Sequence, residues 1–312
     1  MEIVSTGDVY LCCCGWISQP IGNILFTNLI DIWHGPLAKM VRESILDGSF
    51  RYCQSCPYLP GPKGPLVANQ IEIDSERVGI LKLDYDRSCN LNCPSCRSYP
   101  RELVDQERVN QIHRAVLSSG IIESTDLLYI TGAGDPFAST LYRKFLRDLP
   151  RISSSDKLKV LLHTNGLLFN QVAWERLGET RKRVSKIKIS IDATSPETYK
   201  LNRVDAWPKL LDNLKFISSV CKSNSIELTL IFVVQSNNFR EMPEFVTFSN
   251  SYSADYICFA GLLDWNSYPS REEYLNRAIH LKTHPEHKQF LDVLRDSRLK
   301  DPKVRTESFE LP

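Results

Sequence analysis

The sequence predicts an α/β protein: a partial (β/α)6 TIM-like barrel preceded by a small cysteine-rich module. Three observations lead there. Six apolar, β-branched runs alternate with helix-period segments through most of the chain. Eight of the ten cysteines gather in three groups, Cys12-Cys13-Cys14, Cys53 with Cys56, and Cys89, Cys93 with Cys96. A Pro/Gly-dense stretch stands between the second group and the first strand-like run.

Residues 1–64 form the module. They carry cysteines and tryptophans and a helical pattern at 36–47, and they end in the turn-rich stretch 57–65. The strand-like runs that follow are 79–84, 127–131, 158–163, 186–192, 226–234 and 255–260. Between them lie helical patterns near 105–118, 140–149, 170–178, 195–201 with 207–221, and 240–250. Alternation of this kind makes βαβ units around a parallel sheet. Six repeats give an incomplete barrel over 65–290, with chemistry expected at the C-terminal strand ends. Residues 291–312 are polar and read as a helix with a loose tail.

Lys and Arg total 38 against 37 Asp and Glu, a net charge of +1, so neither nucleic acid nor a membrane surface is indicated as partner. No apolar run approaches the length of a membrane span, and the first residues lack a leader pattern. A cytoplasmic protein is expected. In a reducing compartment ten cysteines point to metal or cluster ligation rather than disulfides.

The first strand runs into Cys89-Asn90-Leu91-Asn92-Cys93-Pro94-Ser95-Cys96. C-x3-C-x2-C offers three thiolates from one loop at the barrel mouth. A 4Fe–4S cluster normally takes four, so three leave one iron open to a chelating small molecule. A zinc site is the plain alternative, but it needs a further ligand to close a tetrahedron. This loop resembles the hallmark of the radical S-adenosylmethionine (SAM) superfamily. The resemblance implies that Cys89, Cys93 and Cys96 hold a 4Fe–4S cluster whose open iron binds the methionine end of SAM. It further implies reductive cleavage to a 5′-deoxyadenosyl radical, which takes a hydrogen from substrate.

Later strand ends carry similar echoes. Thr131-Gly132-Ala133-Gly134-Asp135-Pro136 resembles the family's "GGEP" motif, with Ala133 and Asp135 where Gly and Glu are usual. The resemblance assigns Gly134 and Asp135 to the methionine amino group. Asn165 lies in a family-like Thr164-Asn165-Gly166 turn. Ser190 and Asp192 match an "SxD" element for carboxylate and ribose, and Arg203 an arginine that pairs the carboxylate. Asn238 and Glu241 fall on an adenine- or ribose-facing segment. Ser95 occupies a position that is often aromatic in relatives. Taken singly, a Thr-Asn-Gly reads as a turn and an isolated Ser or Asp as a cap. Their order along successive strands carries the assignment.

In the module, Gly7 to Cys12 fits G-x4-C and is followed by Trp16, Ile21-Gly22-Asn23, Asp31-Ile32-Trp33 and Cys53-x2-Cys56. That order resembles the SPASM/twitch auxiliary domains, which normally follow the barrel. The cysteine usually found upstream of the glycine is missing here, as are the C-terminal cysteines of a full SPASM domain. One auxiliary 4Fe–4S cluster is implied, on Cys12, one or both of Cys13 and Cys14, Cys53 and Cys56. On an extended segment Cys12 and Cys14 share a side, unless a turn at Gly15 intervenes. A structural zinc knuckle is the alternative.

Cys258, on the last strand, is a hydrogen-atom donor by analogy with related epimerases, or a buried core thiol. Cys221 reads as inert. His280, His284 and His287 read as surface residues, and Arg181-Lys182-Arg183 with Lys186 as a solvated face. The resemblance leaves two substrate classes, a peptide or amino-acid derivative and a sugar or aminocyclitol. It implies a flavodoxin- or ferredoxin-like electron donor. A cluster-bearing binding or electron-transfer protein that has lost SAM chemistry is the non-enzymatic reading.

Overall fold

The computed structural model describes residues 1–53, 56, 59, 77–96, 104–309 and 311. The expected module boundary at 64/65, and all of the turn-rich stretch 57–65 except Leu59, lie outside the described residues.

Three short strands open the chain: β1 (Glu2–Val4), β2 (Asp8–Tyr10) and β3 (Gly22–Asn23). Helices α1 (Leu29–His34) and α2 (Pro36–Leu46) follow. Six longer strands come next: β4 (Val78–Asp84), β5 (Thr125–Ile130), β6 (Lys159–Thr164), β7 (Val184–Ser190), β8 (Glu227–Val234) and β9 (Tyr256–Gly261). Between them run α3 (Gln106–Ser118), α4 (Thr140–Ile152), α5 (Gln171–Glu175), α6 (Pro196–Asn202), α7 (Trp207–Asn224) and α8 (Met242–Ser251). After α9 (Arg271–Leu275) and α10 (His287–Val293), the chain ends in β10 (Val304–Glu307). Each expected barrel strand and helix is present, shifted at its ends by a few residues. Side-chain caps fix several starts: Ser139 accepts from Tyr142 N at 2.9 Å, and Ser195 caps α6.

All ten strands join one sheet in the order β10-β9-β8-β7-β6-β5-β4-β1-β2-β3, and β4 to β9 are parallel throughout. Alternation sorts each strand into two faces. Leu81, Leu83, Leu128, Ile130, Ile187, Ile189, Ile257 and Phe259 are fully buried toward the helices. Phe259 meets Phe245 of α8 with ring centroids 5.9 Å apart. The opposite, concave face carries Lys82, Asp84, Tyr129, His163, Lys188, Ser190 and Cys258. Curvature brings its edges together, because Tyr129 at the centre is within electrostatic reach of Glu2 on β1 and Glu307 on β10. The result is the TIM-like open barrel expected, with a polar lumen.

Three details depart from the sequence reading. The module's first strand continues the barrel sheet, β1 lying parallel to β4 with Glu2 opposite Lys82. The supposed loose tail ends in a strand, β10 pairing with β9 from Val304–Ile257 to Glu307–Ala260. Four residues with polar side chains at three positions give too weak a pattern to read as a strand. The three histidines are structural rather than superficial. His284 is 8% exposed and bonds Asn276 O, His287 bonds Ile279 O, and His280 packs on Gly261.

Candidate functional site: a three-cysteine cleft above a polar lumen

Leaving β4, the chain turns at Asp86, whose carboxylate accepts from Ser88 N at 2.9 Å and from Ser139 Oγ at 2.5 Å. This fixes the start of the cysteine loop. Cys96 N donates to Cys93 O at 3.2 Å, so the C-x2-C segment is a single turn. Cys89, Cys93 and Cys96 line one cleft with Gly132, Ala133, Gly134, His163, Thr164, Asn165, Ser190 and Arg203. Four of the expected cofactor residues therefore converge on the cysteines: Gly134, Asn165, Ser190 and Arg203.

Gly134 is required sterically. A Cβ there would stand 2.5 Å from Asp86 O and 2.9 Å from Ser88 O, so the glycine loop and the cysteine loop touch backbone to backbone. Asp84 shapes the same loop, accepting from Gly132 N at 2.7 Å and Ala133 N at 2.9 Å. Thr131 and Asp192, at the ends of β5 and β7, adopt left-handed φ values of 57° and 65°. Non-glycine residues in that region store about 1–3 kcal/mol each and concentrate at functional sites.

Three expected residues face elsewhere. Asp135 is fully buried, and its oxygens accept from Phe137 N (2.9 Å), Thr164 Oγ1 (2.7 Å) and Asn165 N (2.9 Å). Its carboxylate ties strand ends together and is not part of the cleft lining. Asp192, also buried, receives Val233 N at 2.7 Å and pairs with Arg203 at 2.6 Å. Asn238 donates to Asp192 O and Val233 O and accepts from Gln235 N, while Glu241 accepts from Thr194 and Thr198. The expected adenine-facing segment is thus bound into the loops beneath it.

The donor set fits an iron–sulfur cluster. Sulfur ligands of such clusters take N–H hydrogen bonds. Here Leu91 N lies 3.4 Å from Cys89 Sγ, Asn165 Nδ2 3.7 Å from the same sulfur, and Arg203 Nη1 3.6 Å from Cys93 Sγ. Among the described residues no His, Cys, Asp or Glu trio converges on a single metal ion.

In the module, Cys56 N donates to Cys53 O at 3.2 Å, repeating the turn of the other C-x2-C. Cys53 is raised by burial and then by the neighbouring Cys56 and Cys12, so these three thiols share one locality. Cys14 departs from the extended alternation. Trp16 N and Ile17 N both bond Cys13 O, turning the chain at Gly15.

A buried chain of contacts joins module and cleft. Cys14 N donates to Glu2 at 2.6 Å, Lys82 Nζ meets Glu2 at 2.6 Å and Asp84 at 2.8 Å, and Asp84 holds the glycine loop. Deeper in the lumen, Tyr129 OH bonds His163 Nδ1 and His163 Nε2 bonds Ser190 Oγ, both at 2.9 Å. Burial lowers His163 to about 3, so the ring is neutral, and raises Tyr129. Cys258 faces Glu307; burial, then that carboxylate, raises the thiol. Sequence reasoning gave Glu2, Lys82, Tyr129, Lys188 and Glu307 no role. The available signal was polar residues at period two inside otherwise apolar strands.

A parallel barrel with three cysteines in a glycine-walled cleft, preceded by a cysteine module, is the arrangement that the resemblance to radical SAM proteins with a SPASM-type module implies. Comparison with known proteins agrees. The model of the SPASM iron–sulfur cluster-binding domain matches residues 1–57. Fe-coproporphyrin III synthase of Methanosarcina barkeri (strain Fusaro / DSM 804) is 20% identical over 202 residues, 64% of this chain and 47% of that protein. SuiB of Streptococcus suis, bound to precursor peptide SuiA, matches with a TM-score of 0.52 at 12% identity, over 87% of this chain and 62% of that one. SuiB bound to SAM gives 0.51 at 13%, over 93% and 67%. At these identities the structural likeness is one of fold. The chain spans about half the length of the curated relative it matches.

Proposed function

We propose that this protein is a cytoplasmic radical SAM enzyme that cleaves SAM reductively and modifies a peptide or amino-acid-derived substrate. The convergence of Cys89, Cys93, Cys96, Gly134, Asn165, Ser190 and Arg203 on one cleft carries the reading. When bound, the cluster supplies the electron that breaks the S–C5′ bond of SAM, and the 5′-deoxyadenosyl radical then takes a hydrogen atom from substrate.

The chain's own residues bind and orient. Cys89, Cys93 and Cys96 are the three thiolate ligands, with Asn165 and Arg203 directing N–H groups at the first two sulfurs. Arg203 adds positive charge beside Cys93, where a SAM carboxylate pairs with it. Gly134 lets backbone approach closely, and the residues pinned by Asp84 and Asp135 keep the strand ends fixed. Cys12, Cys53 and Cys56 hold the auxiliary cluster, and a flavodoxin- or ferredoxin-like protein delivers electrons. The likeness of fold to SuiB, solved with a precursor peptide, supports peptide chemistry over a sugar or aminocyclitol substrate. Among the described residues no helix is long and apolar enough to cross a membrane.

The test is anaerobic reconstitution with iron and sulfide, then reductant and SAM, with 5′-deoxyadenosine quantified. Product from the wild type and none from the Cys89→Ala/Cys93→Ala/Cys96→Ala variant is expected. An equal yield from both would refute the reading.

A further inference from the structure

Two lumen-facing lysines flank the Tyr129 ring, and their surroundings differ in kind. Lys82 sits between Glu2 and Asp84, at 2.6 and 2.8 Å, and is neutralised twice over. Lys188 is half-buried and forms no ion pair or hydrogen bond with any described residue; its ammonium lies 5.7 Å from the Tyr129 ring centre. The side chains nearest it across the strands are His163, directly opposite in the β6–β7 register, Thr229, opposite in the β7–β8 register, Tyr129 and Cys258, while Glu227, one position down the same face of β8, is already paired with Lys186 at 2.9 Å. The first four are uncharged near neutral pH. The lumen carboxylates are otherwise engaged: Glu307 with Cys258, and Glu2 and Asp84 with Lys82. A lysine kept inside a barrel without a counter-charge is costly unless something supplies one.

Its position gives that partner a use. Ser190, two residues further along the same face of β7, lines the three-cysteine cleft. At about 3.3 Å per residue the two Cα atoms are ~7 Å apart along the strand. A group held by Lys188 therefore sits one layer beneath the cleft, with the rest of its molecule pointing up toward it. We propose that Lys188 anchors a carboxylate of the substrate in the lumen, making the enzyme selective for acidic substrates. This rests on the reading of the protein as a radical SAM enzyme with its substrate in the barrel. The carboxylate belongs either to a peptide, as a side chain or C-terminus, or to a small acid such as a uronate; the chemistry at Lys188 is the same.

The experiment measures binding of matched probes to the reconstituted, SAM-loaded protein by ligand-observed NMR. One pair is N-acetylglutamate α-amide with N-acetylglutamine amide, the other glucuronate with glucose. The wild type is expected to bind the acid at least about tenfold tighter than its neutral counterpart in one pair, and which pair responds names the source. Lys188→Met brings the ratio to about one, and Lys188→Arg retains it. Because Lys188 makes no ion pair with any described residue, Lys188→Met should keep the wild-type melting temperature, so a null result is not one of misfolding. No acid preference in either pair, or a preference that survives Lys188→Met, overturns the inference. The same samples are assayed for 5′-deoxyadenosine. Cleavage without acid preference removes only this inference; acid preference without cleavage removes only the reading beneath it.

Discussion

The guanidinium of Arg203 stands 3.6 Å from the sulfur of Cys93, on a loop 110 residues earlier in the chain. The same guanidinium pairs at 2.6 Å with Asp192, whose side chain is fully buried. One arginine therefore serves the cysteine loop and neutralises an internal carboxylate. Burial works against its charge, but Asp192 and then Cys93 and Cys96 raise its pKa overall. Arg203→Met leaves Asp192 buried and unpaired, a loss of about 3–5 kcal/mol. Adding Asp192→Asn should return most of that stability without restoring SAM affinity. Thermal unfolding and equilibrium dialysis with SAM read the two effects separately. Recovery of both in the double variant would make Arg203 purely structural.

Lys82 lies between two carboxylates, one from the module's first strand and one from the barrel's. Burial disfavours its charge, yet Asp84, Tyr129 and Glu2 more than compensate and push it well above its ordinary value. Lys82→Met strands Glu2 and Asp84 together in a buried site, so a loss of several kcal/mol is expected. Glu2 then loses its hold on Cys14 N, and Asp84 its balance at the glycine loop. Thermal melts of Lys82→Met and Lys82→Arg test this, with arginine expected to rescue only in part because its planar fork replaces a point charge. A change below about 1 kcal/mol in both variants would mean the chain of contacts matters little.

The barrel was legible because its signals are local. The run 226–234 is apolar and β-branched, and β8 occupies nearly the same residues. The cysteine loop was legible for a similar reason, since three ligands sit within eight residues. What escaped depends on pairing across long separations. Nothing near Val304 announces that it will lie against Ile257, and Glu2 acquires its role only when β1 docks on β4, eighty residues away in sequence. Asp135 misled because a motif records residue type and not direction. The carboxylate is present, but Thr164 and Asn165 occupy it. For Cys14 the alternation argument lapses, because the chain turns at Gly15, the exception the sequence itself allowed.

The locality shared by Cys12, Cys53 and Cys56 makes a stoichiometric prediction. Alanine at any of the three should remove the auxiliary cluster, roughly four irons per chain, while leaving the SAM-cleft cluster. Alanine at Cys14 should retain it, because the turn at Gly15 removes the alternation that would have set Cys14 beside Cys12. Iron and sulfide assays with Mössbauer spectra, taken after identical reconstitution, decide the matter. Iron loss in Cys14→Ala as large as in Cys12→Ala would return Cys14 to the ligand set.

His113 predicts a pH dependence of stability away from the clusters. Its Nδ1 lies 2.8 Å from Tyr85 OH, and burial, with a smaller push from Lys144, lowers its pKa from 6.5 to about 4. Above pH 6.5 the ring is neutral in both the folded and the unfolded chain, so it contributes no slope. Between 6.5 and about 4 the unfolded chain binds the proton and the folded protein does not, so stability falls as pH falls. Below about 4 both forms are protonated and the loss stops growing. His280, lowered to about 4 mainly by burial, adds to the same window. Melting temperatures of the apoprotein across this range should therefore decline more steeply for the wild type than for His113→Gln, and more steeply again than for His113→Gln/His280→Gln. Parallel profiles for all three proteins would show that the acid lability originates elsewhere, in the paired carboxylates of the lumen.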